Sequence, residues 1–539
     1  MTYPNLIRLV TRLAPGLVAV GAVAALSCSY FVDFPECRSH ADCAGANEPL
    51  ACSKEQTCVT ADEFPACDSH QVCADAFGDD FLCGTSSTCI SALTEECTAV
   101  VWPEGVSRDK VVFIGSLIPV SPPYDALTVP LQNAVELAID DFNDTTLLPG
   151  GRKVAWIACD DRGQADLAVA GAKHLVEEVG APAIIGPIFS EAVLHVAEEV
   201  TIPGGTLLIS PSGSNKMITD LDDEGLVWRT IPSDVYQAAA IRDRILVDLD
   251  PKPENIVVLN KDDAYGNGLA DDIIPSLLNG ASKVTTYRYA DPTSFASEEE
   301  LLSAYGGVIA AAFQESPDAL LLIGTSEIAQ LLGAYVKTWG ELTPGEELPR
   351  FILSHGAVLV MEDAVNLITS GPVRETLIPI VEGTSPVIQD TENFGFFNIR
   401  YKIRFDEQDA VTSSSLSYDA AMVVMFAMAT VGDAEISGAD ISAGIARLVD
   451  KGGTAVSYGS DLGFIKTTVD TLAVGQNVDL RGVSGELDFD LSTGEVRTNI
   501  VGWDLTKRVG TEDIASLTPA RIYALDEPPS TNGVWAPLN

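Results

Sequence analysis

The sequence predicts an α/β fold: two doubly wound lobes preceded by small disulfide-rich modules. Three observations carry that prediction. From Lys110 onward, short apolar runs alternate with stretches of helical apolar spacing, the mark of strand–helix units on a parallel sheet. The alternation extends over roughly 430 residues, more than one ordinary sheet holds. Ten of the eleven cysteines crowd between Cys28 and Cys97, ahead of it.

The N-terminus reads as an export signal. Arg8 and Arg12 supply a positive region, and Leu13–Leu26 is apolar apart from small residues. At about 14 residues it is too short to span a bilayer. Its end, Ala24-Ala25-Leu26-Ser27-Cys28, resembles a bacterial lipoprotein signal, in which the lipidated cysteine begins the mature chain. It departs from that pattern, because Leu26 stands two residues before the cysteine instead of three. An ordinary secretory signal cut near Ser27 is the alternative. On the lipoprotein reading, residues 1–27 are the signal and Cys28 carries the lipid.

Residues 28–98 form a Cys-rich region with an internal repeat. Phe34-Pro35-Glu36-Cys37 recurs as Phe64-Pro65-Ala66-Cys67, and Cys43, Cys52 and Cys58 recur as Cys73, Cys83 and Cys89. The two four-cysteine repeats cover about 34–60 and 64–91. Units this small cannot build an adequate core, so two disulfides in each are expected. Zinc is the rival, with His40 and His70 as extra ligands, but the cysteine spacing does not match the tight pairs of zinc sites. With Cys28 lipidated and eight cysteines in the repeats, Cys97 and Cys159 remain and are expected to pair.

The main region reads as strands and helices in turn. Val111–Gly115 and Val154–Ala158 are strands, with a helix of apolar spacing over Leu131–Phe142 between them. A helix over Asp166–Val179 leads to the strand Ala183–Ile185. Later strands are Thr206–Ile209, Asn255–Leu259, Ala319–Ile323 and Phe351–Leu353. Three of these strands end in loops rich in small and hydroxyl residues: Gly186-Pro187-Ile188-Phe189-Ser190, Ile209-Ser210-Pro211-Ser212-Gly213-Ser214 and Asp262-Asp263-Ala264-Tyr265-Gly266-Asn267-Gly268. Loops at strand C-termini beside helix N-termini are where an open parallel sheet holds a ligand.

The order of these segments resembles the type I periplasmic binding proteins, of the leucine/isoleucine/valine-binding kind, from about Lys110 to Leu505. The carriers include Ile114-Gly115, Asp140-Asp141-Phe142-Asn143, Ile185-Gly186-Pro187 with Ser190, Trp228-Arg229-Thr230, Tyr265-Gly266-Asn267-Gly268 and Ser417-Tyr418-Asp419-Ala420-Ala421. The resemblance implies two Rossmann-like lobes that interleave in sequence and close on a ligand. Lobe one is placed at 105–233 plus 358–490, and lobe two at 234–357 plus 491–525. Residues 526–539 are a C-terminal tail. Pro232 suits a hinge at Arg229–Ser233.

The same resemblance implies a ligand site. Ser190 opens a helix, where its hydroxyl and the free N–H groups receive a ligand carboxylate; a simple N-cap is the alternative. Ser212, through its backbone, and Ser214, through its hydroxyl, form the second loop. Tyr265 covers the ligand from lobe two. Thr325, at the end of Ala319–Ile323, and Tyr124, after the first strand, are further lining residues. His355 is a departure, because relatives place an acid there to hold a ligand ammonium. Imidazole cannot replace that carboxylate. Either a nearby acid such as Glu327 substitutes, or the ligand is not an α-amino acid.

Charge and motifs narrow the function. Acidic residues number 77 against 32 basic, a net charge of −45, which disfavours a nucleic-acid partner. Neither a G-x-S-x-G elbow nor H-E-x-x-H is present. Ser107-Arg108-Asp109-Lys110 matches S-x-x-K without its partner motifs. The five histidines are scattered. No catalytic residue, metal or cofactor is expected. The resemblance implies a small-molecule ligand and an ABC permease as partners, with a lipid anchor to the bacterial envelope, periplasmic or at the cell surface. A ligand-sensing surface lipoprotein of the same fold is the alternative.

Overall fold

A computed structural model describes residues 37, 43, 51–52, 57–60, 66–343, 346–368, 371–386, 391–508 and 514–538. The signal segment, Cys28 and His40 lie outside them.

Two eight-stranded sheets define the two lobes. The first is ordered Phe489–Asp490, Glu495–Val496, Val227–Arg229, Leu207–Ser210, Ala183–Ile185, Val111–Leu117, Lys153–Cys159 and Cys97–Val101. Its centre is parallel and its two edge pairs are antiparallel. Apolar clusters fill both faces. One face carries the helices Asp125–Thr145 and Ser414–Met428. Every residue of Ser414–Met428 is buried, so its run of Ala, Val, Met and Phe needs no polar stripe. The other face carries Ala165–Lys173 and Ser190–Val196.

The second sheet is ordered Lys283–Tyr289, Asn255–Lys261, Ala319–Ile323, Arg350–Leu353, Val381–Ser385, Ile500–Lys507, Ala515–Leu525 and Gly533–Pro537. Its first five strands are parallel and the last three run antiparallel. Helices again cover both faces, with Ile328–Leu342 on one and Ala264–Gly280 on the other. No described helix is long and apolar enough to cross a membrane.

Three boundaries differ from the sequence expectation. Residues 358–385 belong with lobe two, because Val381–Ser385 pairs with Arg350–Leu353 and Met361, Val365 and Leu377 pack in its core. No apolar run marks that strand in the sequence, since Glu382, Gly383 and Thr384 are polar or small. In the fold, Glu382 is buried and neutralised by Arg244, Arg350 and Arg521 at 2.8, 3.0 and 2.9 Å. Glu495–Val496 lies in the first sheet, not in lobe two. Residues 526–539 are not a tail throughout, because Gly533–Pro537 is an edge strand paired to Ala515–Leu525. The chain therefore crosses between sheets after Arg229, near Pro386 and between Val496 and Ile500. Thr498 Oγ donates to the Pro386 carbonyl at 2.8 Å, tying two of these crossings together.

The cysteines pair first with third and second with fourth in each repeat: Cys37–Cys52 and Cys43–Cys58, then Cys67–Cys83 and Cys73–Cys89. All eight sulfurs are in disulfides, which leaves no thiolate for zinc. Cys97 and Cys159 form a fifth disulfide between paired strands of the first sheet. The second repeat is docked on lobe one. Leu82 is buried in that lobe's core. Thr85 N–H donates to the Glu178 carbonyl and Trp102 Nε1–H to the Asp79 carbonyl, both at 2.9 Å. His70 accepts the Cys83 N–H at 3.2 Å and sets its ring edgewise against Phe113.

Candidate functional site

Parallel strands of both lobes end at one cleft, with about 890 Å³ of open space, mouth included. Lobe one brings Ser190, Ser212 and Ser214 to it, and lobe two brings Tyr265, Thr325 and His355. Six of the seven residues expected to line a site thus meet in one cleft. Tyr124 does not line it.

On the lobe-one side, Gly186 must stay glycine. Its φ is +101°, and a Cβ there would collide with the Leu117 carbonyl. The turn it allows presents Ser190. The N-cap of the following helix is Phe189, so the Ser190 hydroxyl is not a cap. It accepts the Asn215 N–H at 3.2 Å and joins the first loop to the second. Ser210 Oγ accepts the N–H groups of Gly213 at 2.8 Å and Ser212 at 3.3 Å, which shapes the second loop. Ser214 is buried, and its side chain hydrogen-bonds the Asp234 carboxyl.

Beneath that loop stands Arg229, 1% exposed. It donates to the Asn215 carbonyl at 2.8 Å and pairs with Glu495. Asp234 opens the helix Asp234–Asp243, and its N–H donates to the Ser214 carbonyl at 2.8 Å. Its Oδ1 accepts from Gln237 at 3.0 Å, and the Ser214 side chain hydrogen-bonds the same buried carboxyl. Burial pushes this carboxyl up to about 7.

The lobe-two side is a wired polar cluster. Tyr265 sits in the first turn of Ala264–Gly280, whose cap is Asp263. Its hydroxyl lies 3.1 Å from His355 Nδ1, and the two rings meet edge to face at 5.1 Å. Gln237 also reaches His355 Nδ1, at 3.0 Å. Burial lowers the imidazole to about 4, so it is neutral at physiological pH. Thr325 donates its N–H and hydroxyl to the two oxygens of Glu327 at 2.7 and 2.5 Å. Tyr289 adds a hydrogen bond to the same Glu327 at 3.0 Å. Glu327 is committed there and does not line the cleft, so it is no substitute for the missing acid at His355.

Tyr124 instead bridges the lobes beside the cleft. Its hydroxyl donates to the Asp291 carboxylate at 2.9 Å. Its ring packs on Phe189 at 4.7 Å. Lys261, buried in lobe two, pairs with Asp291 and with Asp263 at 3.2 Å, and faces the Phe189 ring at 5.3 Å. Burial opposes its charge, and Glu327 and Asp263 hold it protonated. Asn215 adds a side-chain hydrogen bond to the Ala264 carbonyl across the lobes, and Lys216 pairs with Asp272.

Residues 111–340 match the family described as Periplasmic binding protein. The fold is that of the type I periplasmic binding proteins. A Leu/Ile/Val-binding protein of Rhizobium johnstonii is 29% identical over 162 residues, 30% of this chain and 42% of that one. A chemotactic signal transduction substrate-binding protein of Halobacterium salinarum is 29% identical over 221 residues, 40% of this chain and 50% of its own length. The chain thus spans about half the length of the curated relatives it matches. Among solved structures, a solute-binding protein of Rhodopseudomonas palustris in complex with 3,4-dihydroxy benzoic acid superposes with a TM-score of 0.53 at 16% identity. That match covers 76% of this chain and 98% of the other. A leucine-binding protein of Thermotoga maritima gives a TM-score of 0.51 at 17% identity, covering 76% and 99%. These likenesses establish the fold.

Within this family fold, the sequence reading missed Arg229, Asp234 and Gln237. Arg229 stood inside a recognised segment, and an arginine at the end of a buried strand is a signal that a charge is being spent on nearby backbone. Gln237 pairs locally with Asp234, but its link to the cleft runs through the distant His355 and Thr384.

Proposed function

We propose that this chain is an extracytoplasmic solute-binding lipoprotein. It captures a small polar ligand, an amino acid or a related carboxylate, between its lobes and delivers it to an ABC transporter. The observation that carries the reading is the cleft, lined from one lobe by Ser190, Ser212 and Ser214 and from the other by Tyr265, Thr325 and His355. Hydroxyls and a helix start on the lobe-one side suit a carboxylate. Apolar walls at Leu131, Ile188 and Val358 suit an aliphatic or aromatic body. Contacts from both lobes make binding and closure one event. Nothing in this role requires covalent chemistry.

The lipid on Cys28 and the permease partner belong to the same proposal. A second reading, a surface lipoprotein that senses the ligand without transport, is favoured by one observation. The relative from Halobacterium salinarum carries a chemotactic signal transduction name. Calorimetric titration with amino acids and small carboxylates tests the shared part of both readings: at least one compound binds at one site per chain. If none binds, the clamp reading falls. Co-purification of an ATPase and permease with the full chain then favours transport, and their absence with a receptor captured instead favours sensing.

A further inference from the structure

The cleft residue with the most constrained chemistry is His355, because a chain of hydrogen bonds fixes which ring nitrogen carries its proton. The chain starts at a backbone group. The His355 N–H, which can only donate, points at Gln237 Oε1 at 2.8 Å. Thr384 Oγ donates to the same oxygen at 2.8 Å. Reversing the Gln237 amide would set its NH₂ against the backbone N–H, so its orientation is determined. Gln237 Nε2 then donates to Asp234 Oδ1 and to His355 Nδ1, each at 3.0 Å. Nδ1 is therefore an acceptor, and the neutral ring carries its hydrogen on Nε2. The ring lines the cleft, and no acceptor is bonded to Nε2 among the described residues. Burial, which keeps the imidazole neutral, agrees with this arrangement.

The acids near the cleft complete the picture. Asp263 has one oxygen on the Gly266 N–H at 2.7 Å and the other on Lys261 at 3.2 Å. Both oxygens of Glu327 serve Thr325 and Tyr289. Asp234 serves Gln237 and Ser214 and does not line the cleft. The lobe-two wall thus places a neutral N–H donor at His355, while Asp263, the acid that lines the cleft, already serves Gly266 and Lys261. A donor facing an ammonium leaves both desolvated and unpaired.

Resting on the clamp reading above, we propose that His355 determines ligand class: a small carboxylate with an apolar body and a second oxygen acceptor, such as an α-keto acid, in preference to the corresponding α-amino acid. The carboxylate meets the serine side of lobe one, the body meets Leu131, Ile188 and Val358, and the second oxygen accepts from His355 Nε2–H.

The test is calorimetry on the full chain with two matched pairs, leucine with α-ketoisocaproate and phenylalanine with phenylpyruvate. In at least one pair the keto acid binds about tenfold or more tightly than its amino acid, as expected for a site whose polar groups suit only one partner. His355→Gln, which keeps an N–H donor, preserves the order. His355→Glu, which supplies an acceptor, reverses it. Thermal melts of both variants establish that they fold. Wild-type protein that favours the amino acids, or a His355→Glu ratio equal to wild type, overturns the assignment while leaving the clamp intact. Loss of amino-acid binding in Asp234→Asn would then point to an ammonium reaching that acid past Ser214. Binding of none of the four compounds removes this ligand class and, with it, the small-carboxylate form of the clamp.

Discussion

The two lobes approach the cleft with different chemistry. Lobe one presents hydroxyls on loops whose shape is set within a few residues: Gly186 makes the turn before Ser190, and Ser210 shapes the loop carrying Ser212 and Ser214. Lobe two presents side chains held by partners far along the chain, with Gln237 on His355 and Thr384. On the proposed function, lobe one would receive a carboxylate through local geometry. Lobe two would then decide what else the ligand carries. That proposal divides capture and specificity between the two lobes.

The largest expected effect strikes lobe one alone. Replacing Cys97 and Cys159 by alanine removes the disulfide that ties the edge strand to Lys153–Cys159. Such a removal costs about 2–5 kcal/mol. Differential scanning calorimetry should show the lobe-one transition moving down while that of lobe two stays. A uniform shift would mean the lobes melt as one body. Next, Tyr265→Ala removes a buried ring and its contact with His355. Affinity for any cleft ligand should fall by about 2–4 kcal/mol, with the melting temperature of lobe one unchanged.

A smaller effect is expected at the bridge between the lobes. Tyr124→Phe keeps the packing on Phe189 and deletes the hydrogen bond to Asp291. Affinity should weaken by about 1 kcal/mol, and dissociation should quicken in stopped-flow traces. An unchanged rate would show that the Tyr124–Asp291 contact does not hold the closed form. A separate effect is expected in the pH dependence of lobe one. Burial raises the Asp161 carboxyl to about 7, above its unfolded value. The protonated form is favoured in the fold, so its stabilising contribution is full below about 4 and is lost as the pH rises toward 7. Asp161→Asn should flatten the fall in melting temperature across that window. A slope equal to wild type would rule out Asp161 as its source.

The division between lobes also explains what the sequence revealed. The fold was legible because apolar strand runs such as Ile256–Leu259 and Leu320–Ile323 alternate with helices along most of the main region. The serine loops were legible because strand end, turn and helix start are contiguous. Val381–Ser385 was not legible as a strand. Its Glu382 is buried only because three distant arginines neutralise it, and the misplaced lobe boundary followed from that. Tyr124 was assigned to the cleft from its position in a loop, whereas its direction depends on Asp291, 167 residues away. His355 was recognised as a departure from an acid, but its proton position rests on Gln237 and Thr384, which no local pattern joins to it.

The most direct measurement is a calorimetric titration of wild type, Ser190→Ala and Tyr265→Ala with the same small-carboxylate and amino-acid panel. Ligand clamped between the lobes predicts that a compound bound by wild type at one site per chain loses about tenfold or more in affinity in each variant. A compound that binds wild type and both variants equally well would place its site elsewhere and contradict the clamp.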